Sequence, residues 1–170
     1  MTSMKHPKTI LGLDPGTHVT GYGIIQGDAQ QWRALDYGCI RLPPQASFAK
    51  KTALLFDAIN HLLAHYPIGE VALEGQYVHK NVQSALKLGI AKGIALLAAA
   101  KKELPVSEYS PTKAKLAVTG RGSASKESVQ QMVQLRLGLP SLPKPQDAAD
   151  ALALALCHSH QTRIPLCSTT

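Results

Sequence analysis

Near its C-terminal end the chain reads Asp147-Ala-Ala-Asp150-Ala-Leu-Ala-Leu-Ala-Leu-Cys157, and this run constrains the fold more than any other. A helix with Ala and Leu on every side has no face suited to water, so the rest of the protein must surround it. Its two acids are three residues apart and share one face near the start. Two carboxylates on one face of a buried helix are costly unless a cation neutralises them. Asp147 alone reads equally as an N-cap or a favourable first-turn charge, an explanation that does not extend to Asp150.

The preceding residues supply the surroundings. Residues 9–14, TILGLD, read as a strand, with a turn at Pro15-Gly16-Thr17, a second strand over 21–26 and a third near 32–41. Phe48, Leu55, Ile59, Leu62 and Leu63 recur at helical spacing up to Tyr66-Pro67. A short strand follows at 71–74, then a long Ala- and Leu-rich helix over 82–104 and a brief strand at 106–109. Pro111 suits the first turn of a helix reaching about Val118. Beyond a glycine loop at 120–123, a helix over 125–137 has Ser125 as its cap. Pro140, Pro143 and Pro145 form a stiff connector into the last helix, 147–157. Three early strands followed by alternating helices and strands predict a single α/β domain over residues 1–170 with a mixed sheet. Its core is expected at about 9–158, with 161–170 a loose tail.

Two further acids stand where strands end. Asp14 closes the first apolar strand, and Gly16 just after it allows close backbone approach by a phosphate or metal; Asp14 alone is also an ordinary turn aspartate. Glu74 closes the strand at 71–74, a common place for a glutamate. Joined to Asp147 and Asp150, they compose an oxygen-ligand site for Mg²⁺ or Mn²⁺. A pair of such cations about 4 Å apart serves phosphodiester hydrolysis, one activating water and the other stabilising the departing 3′ oxygen. Competing chemistries lack their parts: there is no Gly-x-Ser-x-Gly elbow, Walker A loop, HExxH or Gly-x-Gly-x-x-Gly.

The charge balance suits a polyanionic partner. There are 18 Lys and Arg against 11 Asp and Glu, a net +7, and each neutralised phosphate releases counterions. Basic residues crowd between Val78 and Lys126: Lys80, Lys87, Lys92, Lys101, Lys102, Lys113, Lys115, Arg121 and Lys126, against Glu103 and Glu108. Lys101 and Lys102 read as a solvated helix face. Lys115 and Lys126 flank the glycine loop, whose backbone N–H groups can also meet phosphate. Tyr77, three residues after Glu74 and beside Gln76, His79 and Lys80, is placed to stack on an unpaired base or to pack on the helix behind it. The seven histidines show no ligand spacing. Cys39, Cys157 and Cys167 show neither CxxC nor CxxxH spacing, so no disulfide framework or zinc site is expected and a reducing cytoplasm is the simplest location. The polar start, Met1 to Lys8, has no apolar h-region, and no stretch is expected to span a membrane.

Four blocks in order resemble the RuvC family of Holliday-junction resolvases: Leu-Gly-Leu-Asp14-Pro-Gly-Thr with Gly21-Tyr-Gly; Glu74-x-x-Tyr77-x-x-Lys80-Asn81 with Ser84-Ala-Leu-Lys-Leu-Gly89; Gly120-x-Gly-Ser-Ala; and Asp147-Ala-Ala-Asp150-Ala. The resemblance runs from about Ile10 to His158. It implies an RNase H-like fold with a central five-stranded mixed sheet flanked by helices, and paired symmetric nicks in four-way junctions during DNA recombination and repair. It also implies Mg²⁺, with Mn²⁺ able to substitute, two ions per site, held by Asp14, Glu74, Asp147 and Asp150. Lys115 and Lys126 are the implied contacts to the scissile region and Tyr77 a junction wedge; Lys80 and Arg121 are added as DNA contacts from the basic segment itself. A homodimer working with the RuvA and RuvB branch-migration proteins is the implied assembly, and Gly89 and Gly93 in the long helix would let a second helix approach closely. Gly75 departs from the family's frequent Gln, and Tyr77 from its usual Phe.

Two other classes share features. Actin-like sugar or acetate kinases also open with an Asp-x-Gly-Thr turn but need two such domains, which the length disfavours. A junction-binding module without catalysis has no use for buried carboxylates that repel DNA.

Overall fold

The computed structural model describes residues 7–75 and 81–161. The chain order is β1 (Lys8–Asp14), β2 (Val19–Gly27), β3 (Trp32–Arg41), α1 (Phe48–His65), β4 (Glu70–Glu74), α2 (Val82–Ala100), β5 (Val106–Tyr109), α3 (Pro111–Thr119), α4 (Lys126–Leu137) and α5 (Gln146–Gln161). The strands form one five-stranded sheet ordered β3-β2-β1-β4-β5. The first three are antiparallel, while β4 joins β1 and β5 joins β4 in parallel. This is the mixed sheet expected from the sequence.

Alternation along the strands divides the core between two layers. Leu11, Leu13, Ile24, Val71 and Leu73 meet α1 and α2 on one face. Ile10, Ile25 and Ala72 meet α3, α4 and α5 on the other. Residues Ala148 to Ser159 of α5 are buried except Asp150, as the all-round apolar pattern requires. Serine caps open three helices: Ser47, Ser110 and Ser125 accept from the N–H of Lys50, Lys113 and Ser128.

Two helix ends differ from expectation. The long helix stops at Ala100, with Glu103 at φ 56 and the Leu104 N–H returning to the Ala99 carbonyl. The apolar run itself ends at Ala100, before Lys101-Lys102-Glu103, and Leu104 precedes Pro105, whose ring disfavours helical backbone in the residue before it. The last helix runs on past Cys157 to Gln161, because His158, Ser159 and His160 contain no helix breaker. Gln161, expected to begin the loose tail, is instead the last residue of this helix, and the rest of that tail, 162–170, lies outside the described residues. Contrary to the sequence expectation, α2 is long and apolar enough to cross a membrane by length and composition, at 19 residues and mean hydropathy 1.4. Here Ala91, Ala95, Ala98 and Ala99 pack it into the core layer on that face of the sheet.

Candidate active site

Asp14 and Glu74 end neighbouring parallel strands whose register aligns Leu13 with Leu73. Since those leucines face α1 and α2, the next residue on each strand projects to the opposite face, where α5 lies. The two carboxyls share a hydrogen bond there.

Where α5 crosses β1 and β2 near the acids, the sheet carries glycine in place of side chains. Gly12 pairs with Gly23 across β1 and β2. A Cβ on Gly12 would fall 2.0 Å from the Ala151 carbonyl oxygen, and one on Gly23 would fall 2.7 Å from Leu152 Cγ. Glycine at these positions lets the helix backbone descend onto the strands. Asp147 and Asp150, in the first turns of α5, are thereby brought over the strand ends. All four acids line one pocket of about 360 Å³ that also takes in Gly16, Lys115 of α3 and Lys126 of α4.

Proximity and burial alter these carboxyls. Burial, then the charges of Asp150 and Asp147, raises Asp14 to about 7. Burial, then the charge of Asp14, raises Glu74 to about 8. Burial also raises Asp150, with Lys126 opposing it. Lys126 likewise opposes the rise at Asp14, and Lys115 that at Glu74. Crowded carboxylates of this kind repel one another, and a bound cation would relieve that repulsion. The donor set is all oxygen and anionic, which fits a hard divalent metal. As the side chains stand, no three His, Cys, Asp or Glu residues among those described are already drawn together as a ligand set.

The other sequence candidates divide. Lys115 is half-buried and Lys126 exposed, both on the pocket wall. Arg121 is exposed in the α3–α4 loop, grouped with Thr119, Ser125 and Gln131 instead of with the acids. Tyr77 and Lys80 lie outside the described residues. The histidine pattern gave no ligand, and His158 has a different employment: its Nε2 is 2.5 Å from Glu70 Oε2 and its Nδ1 2.7 Å from the Tyr109 hydroxyl, inside the fold. The glycine platform was missed. Its signal was the Gly-x-Asp and Gly-Tyr-Gly spacing, read as turn and motif although the alternate glycines also mark one bare strand face.

The family described as crossover junction endodeoxyribonuclease RuvC matches residues 10–158. A relative of that name from Protochlamydia amoebophila is 49% identical over 156 residues, covering 92% of this chain and 93% of its own. Another from Halorhodospira halophila is 47% identical over 161 residues, covering 95% of each. Among solved structures, T. thermophilus RuvC in complex with Holliday junction substrate superposes with a TM-score of 0.84 at 30% identity, covering 91% of this chain and 95% of the other.

Proposed function

The chain belongs to the RuvC family of crossover junction endodeoxyribonucleases, and from that premise we infer that its acidic pocket hydrolyses phosphodiesters of four-way DNA junctions. The fold is the RNase H-like α/β arrangement of that family, and the activity is that of a junction-resolving endonuclease needing a divalent metal. One observation carries the assignment to this pocket: two strand ends and one buried helix deliver Asp14, Glu74, Asp147 and Asp150 to a single cavity with Lys115 and Lys126 on its wall.

We assign the metal as Mg²⁺, replaceable by Mn²⁺, two ions per site, held by those four acids. When bound, the ions supply the Lewis acidity that activates water and stabilises the departing 3′ oxygen. The chain supplies the rest. The carboxylates stay anionic once their mutual repulsion is relieved, Lys115 and Lys126 hold the phosphate flanking the cut, and Gly16 lets the backbone approach closely. The attacking oxygen comes from water, so the P–O3′ bond breaks without a covalent enzyme intermediate and leaves a 5′ phosphate and a 3′ hydroxyl. Arg121 extends the phosphate contacts away from the pocket, and we assign Lys80 a further phosphate contact and Tyr77 stacking on a base exposed at the crossover.

Two symmetric cuts need two pockets related by a two-fold axis. For that we assign a homodimer through the outer face of α2. Val82, Leu86, Ile90 and Leu97 stand exposed there in helical spacing, 72%, 63%, 43% and 54%. Nothing lies within 4 Å of a Cβ built on Gly89 or Gly93. Such an apolar stripe beside bare glycines suits a second copy of itself better than water. The assembly operates in the cytoplasm beside the RuvA and RuvB branch-migration proteins. Incubation of an end-labelled four-way junction with Mg²⁺ or with EDTA tests the reading. Paired nicks on opposed strands with Mg²⁺ alone support it, and an intact junction in both overturns it.

A further inference from the structure

The carbonyl of Gly75, immediately after Glu74, accepts a hydrogen bond at 3.1 Å from Lys92 Nζ of α2. The same ammonium lies 2.5 Å from Glu108 Oε2 of β5. The Gly75 N–H donates to the Tyr109 carbonyl at 2.9 Å. The backbone just beyond Glu74 is therefore held by a helix on one side and a strand on the other. The Lys92 side chain is 22% exposed and that of Glu108 42%, so the part-buried contact to the Gly75 carbonyl is the more sheltered of the two.

Gly75 is part of this clamp. A Cβ on it would meet Glu108 Cβ at 2.9 Å and Glu108 Oε2 at 3.2 Å. Any side chain at position 75 must push against the residue that Lys92 holds. Glycine there makes room for the ion pair.

We propose that Lys92 is a positioning residue for Glu74: by clamping the Gly75 carbonyl to Glu108 it fixes where β4 ends and hence where the Glu74 carboxylate points. The inference rests on the reading of the pocket as the metal site. Its effect passes through geometry, because Lys92 is not among the pocket-lining residues. Groups that orient a ligand from behind typically matter by tenfold or more in metal affinity.

Mn²⁺ binding to the DNA-free protein, followed by EPR, is the test, run beside single-turnover junction cleavage across Mg²⁺ concentrations. Lys92→Met is expected to weaken Mn²⁺ binding and raise the Mg²⁺ needed for half-maximal cutting, each on the order of tenfold, with junction affinity retained. Lys92→Arg should recover most of the loss. Gly75→Ala should reproduce it by displacing Glu108, and it serves as the second variant if Lys92→Met folds poorly. Unchanged Mn²⁺ binding in both Lys92→Met and Gly75→Ala overturns the proposal, as does a cutting defect that tracks lost junction affinity, which would make Lys92 a phosphate contact. A wild-type protein that binds Mn²⁺ but does not cut refutes the nuclease reading, while the Mn²⁺ comparison still decides on Lys92.

Discussion

Gly21 of β2 lies directly beneath Asp147 of α5: a Cβ built on the glycine would fall 2.1 Å from the Asp147 carbonyl oxygen and 3.0 Å from its Cβ. Gly21 also pairs with Asp14 across the β1–β2 ladder. One residue without a side chain thus sets the separation between a strand-borne acid and a helix-borne acid.

Gly21→Ala is accordingly expected to lift the start of α5 from the sheet. Overpacking against backbone should cost about 1–3 kcal/mol, read as a lower urea midpoint. The loss of cutting should exceed what the unfolded fraction explains. Wild-type activity in a folded Gly21→Ala protein would show that this contact does not set the site.

The crowded acids make the metal-free protein sensitive to pH. Asp14 and Glu74 are raised from 3.8 and 4.5 to about 7 and about 8, so the folded state holds protons that the unfolded chain releases. Their contribution to stability is fully present below the ordinary values and is lost as the pH rises through the raised ones. In EDTA the thermal midpoint should fall between about pH 5 and about pH 8, less steeply in Asp14→Asn, and Mg²⁺ should oppose the fall. A midpoint rising over that interval would contradict the electrostatics.

His158 links α5 to β4 and β5 through Glu70 and Tyr109. Burial alone would raise Glu70, but hydrogen bonds from Lys8 and His158 outweigh it and hold the carboxyl below its usual range. His158→Ala leaves a cavity and an unsatisfied Tyr109 hydroxyl, together about 2–4 kcal/mol of stability. Cutting should be retained at temperatures below its midpoint. Lost cutting in a fully folded His158→Ala protein would assign the imidazole a role in the reaction.

The two-fold interface is tested by Leu86→Glu. Leu86 is 63% exposed in the single chain, so the substitution should leave the fold intact. Sedimentation should show a dimer for the wild type and a monomer for the variant at micromolar concentration. A folded wild-type monomer at that concentration removes α2 from this role.

What the sequence made legible depended on how local the signal was. The all-apolar surroundings of Asp147 and Asp150 told that α5 is buried, and the expectation that its acids share a cation came from the same helical repeat. Asp14 and Glu74 were recognisable as strand ends, but that β1 and β4 lie side by side in parallel is a long-range fact. The burial of α5 against Gly12, Gly21 and Gly23 depended on two segments more than a hundred residues apart. Charge alone did not separate Lys115 and Lys126, on the pocket wall, from Arg121 in the loop. The end of α2 was misplaced because Lys101, Lys102 and Glu103 are all good helix formers, while the turn made by Glu103 at positive φ ahead of Pro105 is a tertiary feature.

The most direct test of the four-acid site is cleavage and binding of one labelled four-way junction by Asp14→Asn, Glu74→Gln, Asp147→Asn and Asp150→Asn. Each variant is expected to bind the junction as the wild type does, because removing negative charge does not weaken attraction to phosphate, and to produce no nicks in Mg²⁺. Near-normal nicking by any one of them would contradict the assignment of that acid.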